Sequence, residues 1–277
     1  HSGSIEKAPS GAADEAAHDK KDTDMMTEPS VDVSTIPRIT HDESTEITAV
    51  ENRKFGEQLR NLGANDWSAP TACERWDVRA MAAHVVGGAA GQISPREFVR
   101  QVRAGRPLVK EIGAQYWWDG MNEVQVRERE QLGTDELIAE WITNSERARV
   151  ARNKLPKPIG RLPLLKLPAP VGRQRLTYLF DMGFTRDVWA HRMDIAAATN
   201  RPMDLDANHD GRIIADVVAE WSSYFDEPFT LELTGPAGGH FTSGSGGESV
   251  RIDTLEFMMI LAERAEGTGV LHHTLPL

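Results

Sequence analysis

Residues 174–199 read QRLTYLFDMGFTRDVWAHRMDIAAAT, and their apolar spacing predicts a helix. At about 100° per residue, Leu176, Phe180, Phe184, Asp187, His191, Asp194, Ile195 and Ala198 share a sector of about 100°, while Arg175, Arg186 and Arg192 lie outside it. Two carboxylates and an imidazole therefore occupy the face expected to meet the core. Such groups are costly to bury unless they are paired or hold a metal. Asp187 and His191 stand one turn apart, so they can share a cation. The same spacing allows a plain Asp–His hydrogen bond that fastens the helix to its neighbours.

Working outward, residues 77–88 (DVRAMAAHVVGG) predict a helix capped by Asp77, with His84 on its inward side next to Val85. A lone inward histidine is commonly a satisfied core residue. Taken with Asp187-x-x-x-His191, His84 completes three N/O ligands and leaves a fourth tetrahedral position open, the arrangement of catalytic rather than structural zinc. Asp194, one turn beyond His191, is placed to orient an imidazole.

The rest of the chain supports a mostly α protein. Apolar steps predict helices from Glu43 to Gly63, from Asp77 to about Gly88, one broken or two short helices over 94–131, and another capped by Thr134. Five prolines within 155–172 make that stretch a loop, and residues 154–175 carry six Lys/Arg and no acid, a local positive patch. Beyond Arg201-Pro202 come a helix over 210–225, strands at 229–233 and 249–252 separated by Gly/Ser turns, and a last helix from Thr254 to Glu266. The expected organisation is a disordered tail over 1–42, a helical bundle over 43–200 and a small α/β domain over 201–277.

Composition narrows the function classes. The 277 residues are 40% hydrophobic with 23 glycines, an ordinary globular balance. Of the net charge of −11, residues 1–50 contribute −7, so no basic face for nucleic acid is evident. The most apolar stretch, 80–90, is half a bilayer span, and no secretory leader is visible, so a cytoplasmic protein without a membrane partner is expected. Cys73 is the sole cysteine, which excludes an intrachain disulfide and a cysteine-rich metal site. It reads as a small buried residue in a turn rather than a nucleophile. DANHDGRI at 206–213 matches the start of a calcium loop but has Val217 where a bidentate Glu belongs, so it reads as a helix start capped by Asp210. His272-His273, adjacent in sequence, reads as poorly placed for joint chelation, and the glycines around His240 form no phosphate loop.

TACERWDVRAMAAHVVGG (71–88) resembles the T-x-C-x-x-W-x-V-x-x-x-x-x-H segment of the mycothiol-dependent maleylpyruvate isomerase family, within the DinB-like superfamily. RDVWAHRMDIA (186–196) resembles that family's later metal helix. PFTLELTGPAGGHF (228–241) and GESVRIDTLEFMMILAER (247–264) are similar to its small C-terminal domain. The resemblance, over about 43–277, implies a DinB-like four-helix bundle followed by a small C-terminal α/β domain. It further implies a divalent metal, usually zinc, held by His84, Asp187 and His191, with mycothiol as thiol cosubstrate in the open position. The isomerases commonly carry Glu where this chain has Asp187, which keeps a carboxylate but shortens it by one methylene. Arg264 matches an arginine of the family's C-terminal Gly-Arg motif and is expected to contact substrate.

A cation bound by two neutral imidazoles and one carboxylate lowers the pKa of a bound thiol and presents a thiolate at neutral pH. Attack on a small electrophile then gives an S-transferase if the adduct persists, or a cis/trans isomerase if the adduct rotates and expels the thiol. The basic loop fits an anionic electrophile without naming one. A non-catalytic metal-binding DinB-like protein and a metal-dependent hydrolase remain open beside this reading, as does the choice of monomer or homodimer.

Overall fold

A computed structural model describes residues 29–275. In chain order its elements are β1 (Val31–Asp32), α1 (His41–Arg60), α2 (Val78–Gln92), α3 (Pro95–Glu111), α4 (Trp117–Arg127) and α5 (Thr134–Asn153). There follow a one-turn α6 (Lys157–Gly160), a short hairpin of β2 (Leu165–Lys166) and β3 (Arg173–Gln174), α7 (Leu176–Tyr178), a π-turn (Leu179–Gly183) and α8 (Phe184–Thr199). The chain closes with α9 (Asp210–Ser222), β4 (Phe229–Thr234), β5 (Gly239–Ser243), β6 (Glu248–Asp253) and α10 (Thr254–Leu261). Among the described residues no helix is long and apolar enough to cross a membrane.

Local signals set the helix starts. Thr40 and Glu43 form a capping box on α1, and the Asp77 and Ser94 side chains accept from the backbone N–H of Ala80 and Glu97. α1, α2, α5 and α8 pack side by side as a four-helix bundle. Its core holds Phe55, Leu59, Met81, Trp141 and Ile195, all essentially without solvent exposure, each stabilising by about 1.5–3 kcal/mol. The α3–α4 hairpin lies against α2. Gly105 and Gly120 let its two helices touch backbone to backbone, and a Cβ at Gly87 would stand 2.5 Å from Gln125 Cβ.

A second core lies under the sheet of order β1-β5-β4-β6, in which β5 runs antiparallel to β4 while β1 and β6 run parallel to their neighbours. It gathers Ile213, Val217, Trp221, Leu231 and Phe257, but also Ile47 of α1 and Trp189 and Met193 of α8.

Several expectations are corrected. Within the stretch expected to be a disordered tail, residues 29–42 are structured: β1 extends the sheet through β5, and Val33 and Ile39 are buried in the second core. Tertiary pairing supplies what local composition lacks; residues 1–28 fall outside the described part. The Gly/Ser stretch read as turns contains β5, an inner strand whose one buried apolar side chain, Phe241, leaves little period-two signal. The helix expected from Gln174 is interrupted by the π-turn and becomes regular only at Phe184. Gly133, not Thr134, is the N-cap of α5, and the last helix stops at Leu261. Arg186 and Arg192, assigned outside the core face, are buried because α8 is covered on both sides: Arg186 pairs with Asp216 at 2.6 Å and with Glu220, and Arg192 with Glu51 at 3.0 Å.

Candidate metal centre

α2 carries His84 inward, 4% exposed, with its ring stacked on the Trp76 indole at 4.9 Å between centroids. His84 Nδ1 lies 2.8 Å from Gln125 Oε1. The Gln125 amide donates to Gln101 Oε1 at 2.9 Å, and Gln101 donates in turn to Gly87 O at 3.1 Å. With those donors committed, Gln125 Oε1 must accept, so Nδ1 carries the proton and the Nε2 lone pair of His84 is left free.

α8 supplies the other two side chains. His191 Nδ1 stands 3.1 Å from Asp194 Oδ2, so Nδ1 donates to that carboxylate and Nε2 is the nitrogen turned toward Asp187. The two imidazoles are nearly perpendicular, with centroids 5.0 Å apart, and Asp187 lies between them, 3.8 Å from His84 Nε2 and 3.6 Å from His191 Nε2. The candidate ligand atoms of His84, Asp187 and His191 all fall within 4.8 Å of one another. Tetrahedral zinc with bonds of about 2.0–2.2 Å separates its ligands by about 3.3–3.5 Å, so each histidine nitrogen is within a few tenths of an ångström of that separation from the Asp187 carboxylate. Two imidazoles with Nδ1 tied down and one carboxylate form a donor set that fits zinc.

The charges of the cluster act strongly on one another. Burial pulls the His191 imidazole down, but the Asp187 and Asp194 carboxylates outweigh it and raise it to about 9. Burial would lift the Asp187 carboxyl, yet the two imidazoles hold it far below its usual range. Asp194 is held low, against its burial, by His191 and by Arg264, whose guanidinium grips both its oxygens, Nη2 to Oδ2 at 2.8 Å.

Arg264 was expected to contact substrate. In the structure its guanidinium turns onto Asp194, while its neighbour Glu263 borders the cavity beside the centre. That cavity measures about 430 Å³ and is reached by His84 and by Asp187, whose side chain is 40% exposed. The basic loop meets it through Leu165, Leu167 and Pro168, whereas Lys154, Lys157, Arg161, Lys166, Arg173 and Arg175 all face solvent.

Gln125, Gln101 and Arg152 were not singled out from the sequence; the available signal was a polar residue in the apolar phase of α3, α4 and α5. The DANHDGRI segment is a helix start in which Asp206 Oδ1 accepts from His209 N at 2.7 Å. Asp210 is not its N-cap but is buried, pairing with Lys54 at 2.9 Å and Arg192 at 3.3 Å. Glu51, His209 and Asp210 also lie within metal-holding distance, but Lys54 and Arg192 already neutralise the two carboxylates. His272 and His273 come together with Glu227 at the surface, closer than their adjacency suggested. Cys73 is half-buried, and burial pushes its thiol up, away from nucleophile behaviour.

A family model described as the mycothiol maleylpyruvate isomerase N-terminal domain matches residues 48–196, a span that includes His84, Asp187 and His191. Two crystal structures of the mycothiol-dependent maleylpyruvate isomerase, one of them a histidine-to-alanine mutant, superpose with TM-scores of 0.52 and 0.51. They cover 86% and 85% of this chain and 94% and 92% of their own, and the mutant is 15% identical and the other 14%. At that identity the likeness establishes the fold. None of the curated proteins matches the sequence.

Proposed function

The chain belongs to the mycothiol maleylpyruvate isomerase N-terminal domain family, and from that premise we propose that it is a mycothiol-dependent metalloenzyme, an isomerase or thiol S-transferase acting on a small electrophile. The observation that carries this reading is the convergence of three side chains from α2 and α8, with ligand atoms within 4.8 Å, at the edge of a cavity of about 430 Å³. His84, Asp187 and His191 would hold the ion, most simply zinc. When bound, it would depress the pKa of a thiol in the open position and so provide a thiolate at neutral pH.

The chain's own residues prepare that chemistry. Gln125 and Trp76 fix the His84 ring, and Asp194 fixes His191, so both imidazoles present Nε2 without reorganisation. Arg264 acts through Asp194, as a positioning residue, by holding that carboxylate in place. On an electrophile with a C=C bond conjugated to a carbonyl, the thiol would lose its proton and its sulfur would bond to carbon as the π bond breaks and the electron pair moves onto the carbonyl as an enolate. Rotation about the resulting single bond, return of the electron pair and expulsion of thiolate would complete an isomerisation, while protonation of the enolate with the sulfur–carbon bond kept would complete an S-transfer. We read the helical part over 43–200 as the unit bearing the site and 201–277 as the support that carries Arg264.

The test is metal analysis of the purified protein followed by titration of the cobalt-substituted form with mycothiol. About one equivalent of metal, lost in His84→Ala and Asp187→Ala, and a thiol-dependent change in the visible cobalt spectrum are expected. Metal content unchanged by both substitutions, or a spectrum indifferent to the thiol, would overturn the reading.

A further inference from the structure

Four arginines of the helical part are almost fully buried. Arg129 pairs with Glu140 at 2.6 Å, Arg186 with Asp216 at 2.6 Å, and Arg192 with Glu51 at 3.0 Å. Arg152 of α5 differs. It is 6% exposed, borders the same cavity as His84 and Asp187, and among the described residues forms no ion pair. Its one protein hydrogen bond, from Nη1 to Thr185 Oγ1, is long at 3.4 Å, and its guanidinium carbon lies 6.0 Å from the centre of the Phe184 ring. Asp181, the carboxylate whose charge acts on Arg152 without contact, is engaged by His41 Nδ1 at 2.7 Å. Burial accordingly pulls the Arg152 guanidinium down to about 10.

A buried guanidinium without an ion-pair partner is costly, and a structure that keeps one beside a cavity has a place for an anion. The fork of N–H donors matches a carboxylate in two-point contact. The cavity that it borders is mostly apolar and partly aromatic: Phe184, Trp118, Met121, Leu165 and Leu167 line it, and Trp118 is stacked on Tyr116 at 4.4 Å. Asp187 follows Phe184 by three residues, about 4.5 Å along α8, so a ligand held over Phe184 reaches the candidate metal centre within the length of a small molecule.

We propose that Arg152 forms a carboxylate subsite, so that the cavity takes a flat, apolar acid whose anionic end meets Arg152 and whose body extends toward His84 and Asp187. This rests on the thiol-dependent reading only in taking the cavity as the substrate side of the centre. The positive charge that the sequence located in the loop over 154–175 is thereby assigned to Arg152, two residues ahead of it.

trans-Cinnamate and its uncharged methyl ester serve as probes, with binding followed by quenching of tryptophan fluorescence and by calorimetry on the full-length protein. The native protein should prefer the acid. Arg152→Met, which keeps the apolar stem over Phe184, should weaken cinnamate about 30-fold or more and leave the ester within about twofold, abolishing the preference. A native protein that does not favour the acid overturns the subsite without recourse to any variant. A folded Arg152→Met protein that keeps the preference, or loses both ligands equally, also overturns it. Metal content and the mycothiol titration on the same preparation report separately on the proposed function. A metal-loaded, thiol-responsive protein without acid preference would sink the subsite alone. A metal-free, thiol-silent protein whose acid preference depends on Arg152 would sink the function and keep the subsite.

Discussion

Stripping the metal should reverse the pH dependence of stability. In the metal-free protein His191 sits between Asp187 and Asp194 and is raised from 6.5 to about 9. A group whose folded pKa is raised stabilises fully below its unfolded pKa and loses that contribution as pH climbs through the folded value, here between about 6.5 and 9. At about 1.4 kcal/mol per unit the ceiling is near 3 kcal/mol, and the solvent reaching Asp187 reduces it, leaving about 1–3 kcal/mol, or roughly 3–10 °C in Tm. Zinc requires both imidazoles neutral, so its binding improves as protons leave, and the gap between zinc-loaded and metal-free Tm should widen over the same window. Thermal unfolding by circular dichroism from pH 6 to 9.5, with chelator or with excess zinc, measures both slopes. Asp187→Asn should remove most of the metal-free decline. A metal-free Tm that is flat or rising, or a constant gap between the two forms, would refute the placement of His191 against these carboxylates.

Three further outcomes follow from the packing. Gln125→Leu leaves His84 Nδ1 without an acceptor and should lower zinc affinity about 10–100-fold in competition with a chromophoric chelator, with Asp194→Asn acting similarly on His191. Lys54→Met strips Asp210 of its ammonium partner inside the buried cluster and should cost about 3–5 kcal/mol in urea unfolding while leaving metal stoichiometry intact in the folded protein. Gly120→Ala forces α3 from α4 at their backbone contact and should destabilise by about 1–3 kcal/mol; because this hairpin walls the cavity, ligand quenching of tryptophan should weaken while zinc content holds.

The helical part was legible because its signals are local. Asp77 announces a helix start within three residues, and the 3.6-residue period places His84, Asp187 and His191 on inward faces. What the period could not convey is how many neighbours a helix has. Arg186 and Arg192 fall off the apolar stripe of α8, yet their partners Asp216, Glu220 and Glu51 stand 30 to 141 residues away, so only tertiary packing reveals them as buried. β1 and β5 escaped for the same reason: two residues and a Gly-His-Phe-Thr-Ser run carry little pattern, and their pairing with each other is the information. The glutamines behind His84 look like any surface residue until α3 and α4 are folded onto α2.

The double-sided burial of α8 divides the molecule into parts that can drift and parts that cannot. Nearly every position from Thr185 to Ala196 is buried, Val188 and Ile195 in the helical core and Trp189, Met193 and Ala196 against the sheet-bearing unit, with the candidate metal centre on the same helix. An innovation in chemistry written on this helix would also have to be reconciled with folding. The aliphatic rim at 165–168 and the aromatic start of α4 touch the cavity without bearing on α8's ion pairs. New substrate ranges should therefore be sought by diversifying that rim, while α8 is inherited unchanged.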